Sequence, residues 1–293
     1  MTGPLPPAPQ GPFLAAAPVV RTHRLALGLQ VVDALRGEPA DVAVAVEEVP
    51  PSHAMPRPAV REAAAALYNP GMGLPRLTRG RHPGRFRLLF GDRVAPPVRV
   101  RVYDTARRFV PRRLEVPFAS LAAVLAEEAS GARPAARARR IAVFPGTAYS
   151  PQGNATGVRG RVVGPTGGPV RWVRVTAWHS ALGTVLGHAH GDDRGEFLLV
   201  LGVPPTSHAS PSGSAFTVRL TLAARSTPPP AGSAVTRHDP FADLPLEVLP
   251  PVGTPDDVSD GMTVPDAHAA RSTVVVPLLL GRLVSPPSPF ILP

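Results

Sequence analysis

The sequence predicts an all-β chain made of two β-sandwich domains, joined by a short helix and flanked by Pro-rich arms. Three observations carry that expectation. The chain holds 40 prolines in 293 residues, and proline locks φ and removes a backbone donor, which disfavours helix interiors. Several segments alternate apolar and polar residues with a period of two, as half-buried strands do. One series of turn and strand signals occurs twice in the same order, which marks an internal repeat. The length fits two domains.

Residues 1–20 read as a Pro-rich N-terminal arm, a composition that favours extended chain. Leu5, Phe13, Leu14, Val19 and Val20 suit either docking on a partner or a disordered tail. Residues 21–118 read as the first β-sandwich domain. Leu25, Leu27, Leu29 and Val31 alternate, Asp33–Pro39 carries turn residues, and Val42, Val44 and Val46 alternate again. Residues 50–84 are irregular, with a short helix expected over Ala59–Tyr68, and a strand follows over Gly84–Phe90. Val98, Val100 and Val102 alternate with Arg99, Arg101 and Tyr103, which predicts one buried and one solvated face. Phe109–Phe118 is expected to return as the last strand.

Residues 119–156 read as a helix and basic linker. Ser120 caps the helix, Leu121, Val124 and Leu125 form its apolar stripe, and Gly131 ends it. The run Arg133–Arg140 reads as a solvated linker or as a contact for an acidic surface, and 141–156 as loop. Residues 157–250 read as the second β-sandwich domain. Its strands are expected over Gly157–Val163, Val170–Trp178, Val185–Ala189, Glu196–Leu201, Phe216–Ala223 and Leu244–Leu249, with turns at Gly164–Pro169 and Gly191–Gly195. Residues 251–293 read as an extended C-terminal tail in which Ser272–Val284 is suited to pair as an edge strand. Both ends are expected to be poorly ordered alone and to order against partner subunits, because apolar residues interrupt their prolines.

The repeat pairs VVDALRGEPADVAVAV with RVVGPTGGPVRWVRVTAW, GRFRLLF with GEFLLVL, and PVRVRVYD with FTVRLTLA. Gly and Pro set the turn between paired strands, and the Gly-x-Phe step plants an aromatic in the core. The second copy, GRVVGPTGGPVRWVRVTAW followed by GDDRGEFLLVL, resembles the carboxypeptidase regulatory-like domain, a transthyretin-like, immunoglobulin-like β-sandwich. The first copy is a more distant match with a long insertion. The resemblance implies the fold and domains that serve as stabilisers, spacers or binding modules, without catalytic residues. The stretch Asp104–Pro117, DTARRFVPRRLEVP, also resembles a phrase in proteins of phage-tail-like contractile injection systems.

Composition sets further bounds. The chain has no Cys, which excludes disulfides, thiolate metal sites and cysteine nucleophiles. Phe13–Val20 is broken by Pro18 and Val274–Leu280 by Pro277; both fall short of the roughly 18 residues that span a bilayer, and no signal peptide is read. A soluble, cytoplasmic protein is expected. All 31 cationic side chains of the Lys+Arg set are arginines, as in a high-GC bacterium such as an actinomycete. The net charge of +10 permits an acidic partner, but no lysine-rich tract or aromatic platform supports nucleic acid.

Few residues point to chemistry. His188, His190 and Asp192 are the only cluster of metal-ligand types, and His-x-His on a strand puts both rings on one face, as zinc requires; Asp192 and Asp193 also fit an ordinary turn. No G-x-S-x-G elbow or phosphate loop is present. The acidic pairs Glu47-Glu48, Glu127-Glu128, Asp192-Asp193 and Asp256-Asp257 read as solvated turns. Arg107, Arg108, Arg112 and Arg113, around Phe109 and Pro111, suit carboxylates of a partner or a charged strand edge. With Phe13 and Phe290 they form the candidate partner-binding set.

The expected function is that of a non-enzymatic structural or interaction protein, a subunit of a large bacterial assembly such as a contractile injection system or phage-tail-like particle. It needs no cofactor, metal or small-molecule substrate, and its partners are protein subunits. The alternative is a soluble carbohydrate- or peptide-binding module presenting Trp172 and Trp178, which share a face if they lie on one strand, although burial in the sandwich core is the expected role of at least one. A metal hydrolase built on His188, His190 and Asp192 is the remaining reading.

Overall fold

The computed structural model describes residues 24–47, 77–90, 95–131, 136–202, 214–226, 239–254 and 256–293. The N-terminal arm, with Phe13, and the helix expected over Ala59–Tyr68 lie outside them. The described chain is mostly β, in four four-stranded sheets.

Sheet 1 contains β1 (Leu25–Asp33), β3 (Thr78–Arg79), β4 (Arg85–Leu89) and β7 (Ala138–Val143), in the order β3-β4-β1-β7. Sheet 2 contains β2 (Ala43–Val46), β5 (Val98–Tyr103), β6 (Arg112–Val116) and β13 (Leu246–Val248), in the order β13-β6-β5-β2. Sheet 3 sets β8 (Gly157–Val163) between β11 (Glu196–Val200) and β15 (Leu283–Val284), and β16 (Phe290–Ile291) also pairs with β8. Sheet 4 contains β9 (Arg174–His179), β10 (Val185–His190), β12 (Ala215–Ala224) and β14 (Ala270–Leu279), in the order β10-β9-β12-β14.

The period-two pattern explains the packing. Leu27, Leu29, Val31, Phe86 and Ile141 of sheet 1 share one buried core with Val44, Val98, Val100, Leu114 and Val116 of sheet 2. Val158, Phe197, Leu199 and Phe290 of sheet 3 share a second with Val175, Ala177, Val218, Leu220 and Val276 of sheet 4. The chain thus forms two halves, each with its own core.

The halves repeat a three-strand order in each sheet, although β13 extends sheet 2 beside β6 whereas β10 extends sheet 4 beside β9. In sheet 1, β1 is antiparallel to β4 and parallel to β7; in sheet 3, β8 is antiparallel to β11 and parallel to β15 and β16. In sheet 2, β5 lies antiparallel between β2 and β6; in sheet 4, β12 lies antiparallel between β9 and β14. The turns repeat as well. Val31 N–H donates to Gly84 O (2.7 Å) and Ala40 N–H to Val31 O (3.0 Å), while Val162 N–H donates to Gly195 O (2.9 Å) and Val170 N–H to Val162 O (3.0 Å). Gly84 and Gly195 have φ of 67° and 72°. A Cβ on Gly84 would lie 2.5 Å from Val31 O, and one on Gly195 2.4 Å from Val162 O. Only glycine meets both demands.

Several sequence expectations are corrected. The run ending at Arg140 is not a linker: it enters β7, which pairs in parallel with β1 from Gly28↔Ala138 to Asp33↔Val143. The first half therefore extends past residue 118, and apolar Ile141 and Val143 close its core. Residues 251–293 are not a free tail, since β14, β15 and β16 complete the second half. Proline in β14 is tolerated for a geometric reason. Leu280 N–H donates to Ser214 O at 3.0 Å, and successive residues of an antiparallel ladder turn their N–H groups to opposite sides. Pro277 therefore turns its nitrogen to the free edge.

The helix α1 (Leu121–Ala129) starts at Ser120, whose hydroxyl accepts from Ala123 N–H at 3.2 Å. Its expected apolar stripe shrinks to Val124, because Leu121 and Leu125 are exposed. Among the described residues no helix is long and apolar enough to cross a membrane.

Candidate functional site

The chemistry of the described chain concentrates on the seam between the halves. β5 was expected to solvate one face, yet Arg101 and Tyr103 on that face are buried. Trp172 covers it. Its ring packs edge-on against Phe241, 5.4 Å between centroids, in a small core with Ala45, Tyr103 and Leu244. Trp172 lies in a turn at φ 59°, and is not on the strand with Trp178. The two tryptophans are not presented together: Trp172 takes the buried role expected of at least one of them, and Trp178 is half-buried with Arg219 5.7 Å from its ring centroid.

Ion pairs rim this contact. Arg171 forks the Asp243 carboxylate at 2.7 and 2.8 Å. Arg101 binds both Glu47 and Asp239. Burial lowers its pKa, but those two carboxylates more than offset it and hold the guanidinium charged. Arg107 in the first half binds Asp193 in the second at 3.1 Å.

Deepest in the seam lies a triad. Arg112 Nε donates to Glu247 Oε1 at 3.1 Å and its Nη2 to Oε2 at 2.7 Å. Arg112 Nη1 donates to the carbonyls of Ala142 (2.7 Å) and Ser259 (2.9 Å), and Nη2 also to Val258 O. Arg174 Nη2 donates to Glu247 Oε1 at 2.9 Å. All three side chains are buried. Burial raises the pKa of Glu247, but Arg112 and Arg174 more than offset it and keep the carboxylate ionised. Burial, with Arg112 adding to it against the attraction of Glu247, lowers Arg174 to about 10, still protonated at neutral pH.

Two members of the candidate partner-binding set, Arg112 and Phe290, are therefore corrected. Arg112 is a fully buried interior support. Arg113 binds Glu47 at 2.7 Å, and Arg108 binds Asp104 at 2.9 Å and the Asp41 carbonyl at 3.0 Å. Phe290 is buried in the second core, 5.8 Å from Phe197. Arg137, Arg139 and Arg140 of the basic run face Glu127, Asp256 and Asp260 at 3.6, 3.6 and 3.5 Å. One carboxylate of each acidic pair expected in solvated turns, Glu47, Glu127, Asp193 and Asp256, instead pairs with one of these arginines.

His188, His190 and Asp192 do not converge on a metal. His190 is enclosed, its Nε2 2.9 Å from Gly261 O and its ring stacked on Phe144 at 4.0 Å. Burial, reinforced by Arg174 and Arg112, holds it neutral, well below the usual histidine range. Asp192 Oδ1 accepts from the N–H groups of Arg194 (2.8 Å) and Glu196 (3.0 Å), so it shapes the turn. Among the described residues no group of three or more His, Cys, Asp or Glu side chains is placed to hold a metal ion.

His188 instead lines a cleft of about 790 Å³ between the halves. Arg36, Glu38 and Arg140 line its first-half wall, and Leu186, His188 and Leu201 its second. Tyr149, also in the lining, donates to buried Asp33 Oδ2 at 2.6 Å; burial and that carboxylate push its phenol far up.

The chain matches no family model, no curated protein and no solved structure. Its own geometry is thus the basis for assigning a role. Sequence reasoning missed Arg174, Glu247 and His268 altogether. One signal was present: Arg112, Leu114 and Val116 share a face of β6 by alternation, which places Arg112 on the core side.

Proposed function

We propose that this chain is a non-enzymatic structural or interaction protein, a rigid adaptor of two β-sandwich units within a larger bacterial assembly. The single observation that carries the reading is the way the halves are tied. β13 lies in sequence between β12 and β14 of the second half yet pairs in parallel with β6 of the first, Leu246↔Arg113 to Val248↔Glu115. Glu247 on that strand is gripped by Arg112 from one half and Arg174 from the other. Main-chain pairing and a buried triad resist hinge motion, in contrast to the mobile interfaces that join most tandem domains. A body of fixed length and angle suits a spacer between subunits.

The duplicated strand order and the paired glycines support the transthyretin-like, carboxypeptidase regulatory-like sandwich as the unit. A contractile injection system or phage-tail-like particle in a bacterial cytoplasm is the assembly we favour. The test is fractionation of native cells, with the chain followed by mass spectrometry. Co-sedimentation with sheath, tube and baseplate proteins is expected; a monodisperse monomer absent from every particle fraction overturns the reading.

The cleft favours a second reading, a soluble carbohydrate- or peptide-binding module. Its walls present Arg36 and Arg140 beside Glu38 and Asp260, a mixture suited to a peptide carrying both charges. Neither tryptophan lines it, which weighs against stacked sugars. Titration with peptide and glycan panels decides, and silence from both removes this reading.

A further inference from the structure

The seam holds more positive charge than its own carboxylate answers. Both oxygens of Glu247 are already taken, Oε1 by Arg112 and Arg174 and Oε2 by Arg112. Arg174 still has Nε and Nη1 buried with no partner, His268 has both ring nitrogens in that state, and so has Nε of Arg225. Arg174 is 3% exposed and His268 1%. Buried donors without acceptors are rare and costly.

Strand register explains why they gather. Ala223 on β12 stands opposite Arg174 on β9 and opposite Arg271 on β14. The three share one face by alternation, so two arginines flank a single methyl. Neighbouring strands lie about 4.8 Å apart, leaving the two guanidinium stems roughly 10 Å apart across that methyl. Arg225, two residues beyond Ala223, projects to the same face. His268 lies just before β14, where burial, then Arg174 and Arg225, then Arg271, against the pull of Glu247, drive its pKa down to about 3. Exposure falls inward: Arg271 is exposed, Arg225 half-buried, and His268 and Arg174 closed off.

We propose that this cluster of Arg174, Arg225, Arg271 and His268 binds a small oxyanion of the phosphate or sulfate kind. A water molecule satisfies the spare donors but leaves the excess charge unanswered. An oxyanion does both, because its oxygens match the fork of a guanidinium, and the guanidinium cannot relieve the excess charge by losing its proton. Exposed Arg271 and half-buried Arg225 form the entry, and Arg174 with His268 the floor.

The test uses the full chain in low-chloride buffer at neutral pH. Phosphate, sulfate and chloride are titrated at matched ionic strength by calorimetry and thermal melting, on the native chain and on Arg225→Gln/Arg271→Gln. Saturable binding of phosphate or sulfate is expected, at least tenfold weaker in the double variant, whose substitutions leave the buried triad untouched. Crystals soaked in selenate should give an anomalous peak beside His268. Oxyanion effects equal to those of chloride, undiminished binding in the double variant, or water alone beside Arg174 and His268 overturns the proposal.

Discussion

Arg112 and Glu247 meet through two hydrogen bonds, at 3.1 and 2.7 Å, with side chains 0% and 2% exposed. Their residues lie 135 apart in sequence. A paired charge so far from water leaves a large penalty behind when its partner is removed, because the survivor has no solvent to turn to.

Glu247→Gln should therefore destabilise strongly, by about 3–5 kcal/mol, since it leaves two buried guanidinium groups without their anion. Arg24→Ala removes a pair with Glu128 whose side chains are 40% and 39% exposed, and should cost less than about 1 kcal/mol. Denaturant midpoints of the two variants check the ranking.

The two turn glycines should behave as equivalents. Gly84→Ala and Gly195→Ala each combine a positive φ with a Cβ inside contact distance of a carbonyl oxygen, and each should lose more than about 2 kcal/mol. Gly131 has φ of 67° but nothing within 4 Å of its would-be Cβ, so Gly131→Ala should lose only the conformational part, about 1 kcal/mol. Thermal melts of the three variants test the order.

Acid should loosen the fold through two histidines. In the folded chain His190 and His268 resist protonation, whereas an unfolded histidine takes its proton near pH 6.5. The unfolded state then binds more protons, so stability falls as pH drops below about 6.5, by up to about 1.4 kcal/mol per pH unit for each group. For His268 the loss continues down to about 3. Unfolding from pH 7 to 4, in buffers free of phosphate and sulfate, should show this slope, and His268→Leu should reduce it by nearly one proton.

The tryptophans should separate optically. Trp172 is 1% exposed, while Trp178 is only partly covered. Trp178→Phe should abolish most acrylamide quenching and shift emission to the blue. Trp172→Phe should leave the quenchable component in place.

The period-two pattern made most strands legible, because alternation at Leu25–Val31 or Val98–Val102 follows directly from a pleated strand with one face on a core. The repeat was legible too, since Gly84 and Gly195 are dictated by backbone geometry that side-chain changes cannot relax. Partnership was not legible. Arg107 and Arg113 read as surface charges because their carboxylates, Asp193 and Glu47, come from remote segments, and sequence spacing holds no trace of a contact made by folding. β7 was hidden by its arginines, which look solvated until Asp256 and Asp260 arrive opposite them. Arg174 gave no signal, because alternation places it away from its own half's core, and its carboxylate partner Glu247 comes from a strand paired with the other half.

The placement of β13 and β16 also governs how the chain reaches this state. The first half lacks an edge strand until residues 246–248 have been synthesised, by which time most of the second half already exists. The second half in turn waits for Phe290 to pair with Val162. Neither half can finish alone on the ribosome, so both must linger with open edges. Pairings of such long sequence separation close slowly, and a nascent chain of this kind stands to gain from a holding chaperone until residue 291 emerges.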